Sequence, residues 1–111
     1  MENENTKINV IAAYLLLQTI FTVIYSSSLD LLKSINPNIC IHFTVSPVRH
    51  SKDGLPENNR SKGRLIDIAH QLMDYSKGKY FPSYEIMMDH LRDYRFYKQD
   101  RIHPNEEALD Y

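Results

Sequence analysis

Cysteine and glycine are scarce in this sequence, and each shortage excludes a class of function. A single cysteine, Cys40, rules out an internal disulfide and all cysteine-rich zinc patterns. The three glycines, Gly54, Gly63 and Gly78, leave residues 1–53 with none, which removes the Gly-rich phosphate loops. Charge of one sign is missing too. Thirteen basic and 14 acidic residues give a net charge of −1, so no strong field draws nucleic acid, and no nucleic-acid partner is expected. No two of the five histidines (His42, His50, His70, His90, His103) stand three or four apart, so no helical ligand pair forms. Neither a metal nor a cofactor is expected. What remains is ordinary: 111 residues, 42% hydrophobic and 24% charged, enough for one small globular domain.

Residues 1–7 are polar and expected to be disordered. From 8 to 28 no residue is charged, over a length close to the ~20 residues a spanning helix needs. Three readings compete. A secretory signal wants a basic start and a small-residue cleavage site, and neither Glu2 and Glu4 nor "IYSSS" supplies one. A membrane span is diluted by Asn9, Gln18, Thr19 and Thr22. A buried helix of an α/β layer fits better, continuing through Leu29, Leu32 and Ile35 until Pro37 stops it. The absence of a signal favours the cytoplasm slightly, although one cysteine suits either side of a membrane.

"ICIHFTV" (39–45) reads as a strand buried on both faces, as in a parallel sheet, with His42 a core residue and the Cys40 thiol inert. Residues 46–60 read as a long loop and Ser61 as the cap of a helix over 62–75, ended by Gly78. "KYF" is a second, short strand. A helix follows from Ser83 to about Leu91, with Met87, Met88 and Leu91 on its apolar side. Pro104 is expected to open the last helix.

Asp-x-x-His occurs twice. Asp67 and His70 fall on the polar side of the 62–75 helix and read as a solvated pair. Asp100 and His103 sit in a loop running into a helix, where an aspartate three residues back can accept the Nδ1 proton and leave Nε2 as base. A nucleophile to match is hard to find. No Gly-x-Ser or Gly-Asp-Ser exists. Ser46 follows the strand but precedes Pro47, and is a weak candidate.

"FTVSPVRHSKDGLPENNRSKGRLI" (43–66) and "YFPSYEIMMDHLRDYRFYKQDRIHPNEEALDY" (80–111) resemble the C-terminal half of the GSCFA family, which belongs with the SGNH (GDSL-like) hydrolases. Residues 8–42 fit its helix–strand unit by pattern. The resemblance implies a three-layer α/β/α fold with parallel strands, partial here and cut at both ends, forming one incomplete domain over 1–111. It implies a C-terminal portion of a serine ester hydrolase or acyl transferase, with Asp100 and His103 as the acid–base pair. Arg49 and His50, at the carboxyl end of the strand, would contact substrate; the alternative is a surface loop held by a salt bridge. The implied partners are a small acyl ester or acylated glycan and the missing N-terminal half, which would carry the serine. The Gly-Ser-Cys-Phe-Ala stretch that names the family is absent, so this chain alone is expected to be inactive. A rival of another class is a small membrane-anchored interaction protein with 8–28 as its span.

Overall fold

The structure, a computed structural model, describes the backbone of residues 4–111 and the side chains of residues 16 and 18–111. The expectation of a disordered 1–7 falls outside the described residues at 1–3, while the backbone of 4–7 is the start of a helix. Among the described residues four helices and a two-stranded parallel sheet make a mixed α/β fold: α1 (Glu4–Ile35), β1 (His42–Thr44), α2 (Leu55–Ser76), β2 (Lys79–Phe81), α3 (Ser83–Asp89) and α4 (Glu106–Asp110). Two 3₁₀ turns, Ser51–Asp53 and Tyr94–Phe96, lie between them. The parallel pairing puts His42, Phe43 and Thr44 beside Lys79, Tyr80 and Phe81. As in other α/β units, the crossover between the two strands is a helix, here α2.

α1 ends at Ile35, two residues before Pro37, as the sequence predicts. It packs on α2 through polar groups rather than an apolar stripe. Gln18 donates to Asp67 at 3.2 Å, Thr22 to Gln71 at 2.9 Å, Tyr75 to Asp30 at 2.8 Å, and the Lys33 ammonium to the Ser76 carbonyl. Leu29 is buried, yet Ile20, Ile24, Leu31, Leu32 and Ile35 are exposed. Of the apolar positions expected to be buried, Leu29 is, whereas Leu32 and Ile35 are not.

The expected strand over 39–45 shrinks to three residues, and its two-sided burial is not found. His42 and Thr44 are exposed and Phe43 half-buried, because a sheet of two strands has too little area to enclose a face. Cys40 is likewise exposed, its Sγ 3.5 Å from Nε2 of His42, so neither residue belongs to the core.

α2 starts seven residues earlier than predicted, and Ser61 lies inside it rather than capping it. Gly54 adopts φ +81°, a conformation glycine tolerates, and breaks the chain before the helix. Pro56 then occupies the first turn, where a missing N–H costs nothing, and Glu57 meets the positive helix end. At the other end Lys77, not glycine, takes the left-handed cap at φ 53°. Gly78 is needed for closeness instead: a Cβ there would stand 2.6 Å from the Ile41 carbonyl oxygen. Gly78→Ala should therefore push β1 from α2 and lower stability by about 1–3 kcal/mol, read as a reduced midpoint in urea unfolding.

The main core joins α3 to the C-terminal segment. Met87, Leu91, Phe96 and Tyr97 are buried together, with Ile86, Met88 and Ala108 against them. The last helix is capped by Asn105, whose Oδ1 accepts from the Ala108 amide at 3.1 Å. Pro104 precedes that cap and bridges to Tyr97, rather than opening the helix. Asparagine wins because its side chain satisfies a free amide, which proline cannot do.

Candidate active site

Two loops meet at the carboxyl ends of the strands. One runs from Val45 to His50, and the other from Lys98 to His103. In the second, the Lys98 amide donates to the His103 carbonyl at 2.8 Å and the Arg101 amide to the Lys98 carbonyl at 2.9 Å, closing a tight turn with Arg101 at φ 59°. Inside this turn the Asp100 side chain points forward along the chain, to the residues two and three positions on. Its Oδ1 accepts from the amides of Ile102 at 2.8 Å and His103 at 3.1 Å. Its Oδ2 meets His103 Nδ1 at 2.6 Å. Both side chains are partly exposed.

The imidazole contact, followed by the two amides, holds the Asp100 carboxyl at about 2, below its ordinary 3.8. Because the folded value is the lower one, this contribution to stability is present above the ordinary value and disappears as pH falls through about 2. His103→Ala removes the largest cause and should raise the Asp100 value toward 3.8, measured by a carboxyl-carbon NMR titration.

The second Asp-x-x-His copy behaves differently. His70 Nδ1 engages the Ile66 carbonyl at 2.8 Å and its ring packs on Tyr80 at 4.3 Å, while Asp67 is taken by Gln18. The two are not the solvated pair expected of them. A helix lays the spacing out along its axis; a turn folds it back.

Arg49 reaches from the first loop to the second. Its guanidinium donates to the hydroxyls of Tyr97 at 3.1 Å and Tyr94 at 3.5 Å, and to the Arg101 carbonyl at 3.4 Å. It also lies over the Tyr97 ring at 4.5 Å. The salt bridge considered for this loop is absent among the described residues; aromatic hydroxyls replace it. His50 is exposed, and its backbone amide donates to Asn58 Oδ1 at 2.9 Å. Arg49, His50, Asp100 and Arg101 line one cavity of about 290 Å³.

Ser46 is not brought to His103 by any hydrogen bond among the described residues. Its Oγ accepts from the Val48 amide at 3.2 Å, closing its own turn. It lines a different cavity, of about 530 Å³, together with His50, Phe21, Tyr25 and Phe43.

Sequence reasoning missed the residues that hold the first loop. Lys62 is 1% exposed and donates to the Ser46 carbonyl at 2.6 Å; burial pulls its ammonium below the usual lysine range. Asn58, also buried, takes the His50 amide, and Ser83 Oγ donates to the Val45 carbonyl at 2.7 Å. Lys62 fell at a helical position expected to face solvent and Asn58 in the expected 46–60 loop, and periodicity alone distinguishes neither from a surface residue.

The arrangement defines an α/β protein with an Asp–His pair at the loop end of its parallel strands. The chain belongs to the GSCFA family, whose model matches residues 14–111. No curated protein and no solved structure matches it.

Proposed function

We propose that this chain supplies the acid–base part of an SGNH-type ester hydrolase or acyl transferase. His103 is the general base through Nε2, and Asp100 orients it and stabilises its charged form. The nucleophilic serine comes from a segment outside these 111 residues, and the substrate is a small acyl ester or an acylated glycan. One observation carries the reading: the 2.6 Å contact between His103 Nδ1 and Asp100 Oδ2, with the carboxylate locked by two further amides. That contact fixes a tautomer with Nε2 ready to accept a proton. Arg49 and His50, on the loop facing the pair, are the substrate-side residues.

The membrane-anchored alternative rests on residues 8–28, of which the side chains of 8–15 and 17 lie outside the described ones. Among the described residues no helix is long and apolar enough to cross a membrane.

The test is complementation. The chain is mixed with the N-terminal, Gly-Ser-Cys-Phe-Ala-bearing half of a family member and assayed on p-nitrophenyl esters. Activity that appears only on mixing, and is lost in His103→Ala, is expected. Equal activity with His103→Ala overturns the assignment.

A further inference from the structure

The cavity between the two loops is basic, and its charge is not met by protein. Arg49 and Arg101 both line it, with His50, Asn58 and the start of α2 at Gly54 and Leu55. The two guanidinium groups sit at 5.4 Å and 5.5 Å from the same ring, that of Tyr94. Among the described residues the ion pairs are Arg60–Glu57 and His103–Asp100, so neither arginine has a carboxylate partner. The Arg49 contacts to two hydroxyls and a carbonyl are all to neutral acceptors. They leave two of its five N–H donors uncommitted among the described residues.

Asp100 is the one acid lining the cavity, and its two oxygens are already engaged by His103 and two backbone amides. Its charge offsets part of the arginines' field, and two guanidinium groups against one carboxylate leave the lining net positive. The turn that places Arg101 is itself unfavourable. A non-glycine residue at φ 59° costs about 1–2 kcal/mol, which the surrounding hydrogen bonds must offset. A glycine would relieve that cost.

We infer that this cavity binds an oxyanion, with Arg49 and Arg101 as its ligands, and that the ester substrate carries a carboxylate, sulfate or phosphate group there. The assignment of the anion to the substrate rests on the hydrolase reading above; the anion site does not. Arginine suits the task because its planar fork matches an oxyanion and stays charged at all working pH values. A volume of about 290 Å³ admits one such group with part of its attached chain. Asp100 lines the same cavity, so the anion would stand near the Asp–His pair.

The probes are inorganic sulfate and acetate, followed by equilibrium dialysis at constant ionic strength against the 111-residue chain mixed with the N-terminal half used for complementation. Saturable binding is expected. Arg101→Gly should weaken it about tenfold, the scale of one lost charge-assisted contact. This variant suits the left-handed turn, so it keeps the fold even if Arg49→Met, which severs the link between the loops, does not. Lys79→Gln, an equal loss of charge on β2, should change affinity less than twofold. Tighter sulfate than acetate binding assigns a sulfate or phosphate substituent; the reverse assigns a carboxylate. No saturable binding, or equal weakening by Arg101→Gly and Lys79→Gln, overturns the site. His103→Ala should leave sulfate affinity within twofold while abolishing activity in the complementation assay. If it abolishes sulfate binding as well, the imidazole holds the anion and the arginine assignment fails. A site that binds sulfate without any complementable activity would retire the hydrolase reading alone.

Discussion

Assayed alone on p-nitrophenyl acetate, the 111-residue chain should turn over no faster than its His103→Ala variant. The proposed base, His103, and its proposed orienting acid, Asp100, are in contact at 2.6 Å. A nucleophile is not: among the described residues no serine, threonine or cysteine side chain is hydrogen-bonded to His103. The Ser46 Oγ is engaged by the Val48 amide, and Cys40 lies beside His42. Triad residues act as a unit, so removing the nucleophile costs about as much as removing all three, several orders of magnitude in rate. A residual rate well above the His103→Ala control would mean that Ser46 or another hydroxyl reaches Nε2 by a movement of the 45–50 loop. Ser46→Ala would then separate those two sources.

The second large effect concerns solution behaviour. The isolated chain should self-associate or behave as a loosely packed state rather than as a compact monomer. Its accessible surface is 8525 Å², whereas a folded monomer of this mass exposes ~6,400 Å². Its radius of gyration is 17.3 Å, against ~13 Å for a compact domain of similar length. The difference in surface, of the order of 2,000 Å², is the size of a whole protein–protein interface. Much of it lies on α1, where Leu31 is 62% and Ile35 75% exposed on the side turned from α2. The edges of the two-stranded sheet add open pairing groups. Size-exclusion chromatography with light scattering and a thermal melt decide the matter. Large or heterogeneous species with a broad transition are expected. Introducing charge on the exposed face, as in Ile24→Glu with Leu31→Lys, should shift the population toward monomer without moving the helical signal. A wild-type monomer melting cooperatively above ~55 °C, a typical mesophile value, would show that these residues bury what they need unaided.

Local chemistry was legible in the sequence wherever a neighbour along the chain decides the outcome. Pro37 ends α1 because the residue before it avoids helical angles. The stripe of Met87 and Leu91 is core because its spacing leaves one face to bury. The parallel strands and the α/β class were readable from an apolar β-branched run followed by a helical period. Other boundaries went wrong where two local signals compete. The asparagines at 58 and 59 speak against a helix, yet Gly54, Pro56 and Glu57 start one, since Asn58 finds the His50 amide as a partner.

The sequence also held both copies of Asp-x-x-His and had no means of ranking them beyond context. Tertiary structure separates them by backbone path. In α2 the three-residue spacing sends His70 to the carbonyl one turn back and Asp67 across to α1. In the 98–103 turn the same spacing closes on itself, because Arg101 accepts a left-handed conformation and the amides of Ile102 and His103 clasp Asp100. Only the three-dimensional fold decided that Lys62 is buried, since its partner, the Ser46 carbonyl, lies 16 residues away on another element. Only it brought Arg49 to Arg101 across 52 residues, through a tyrosine cage that no spacing in the sequence encodes. Periodicity reports which side of an element is apolar. The surface that this side meets depends on elements far along the chain, and for α1 the answer was a polar seam on α2 with the apolar face left outward.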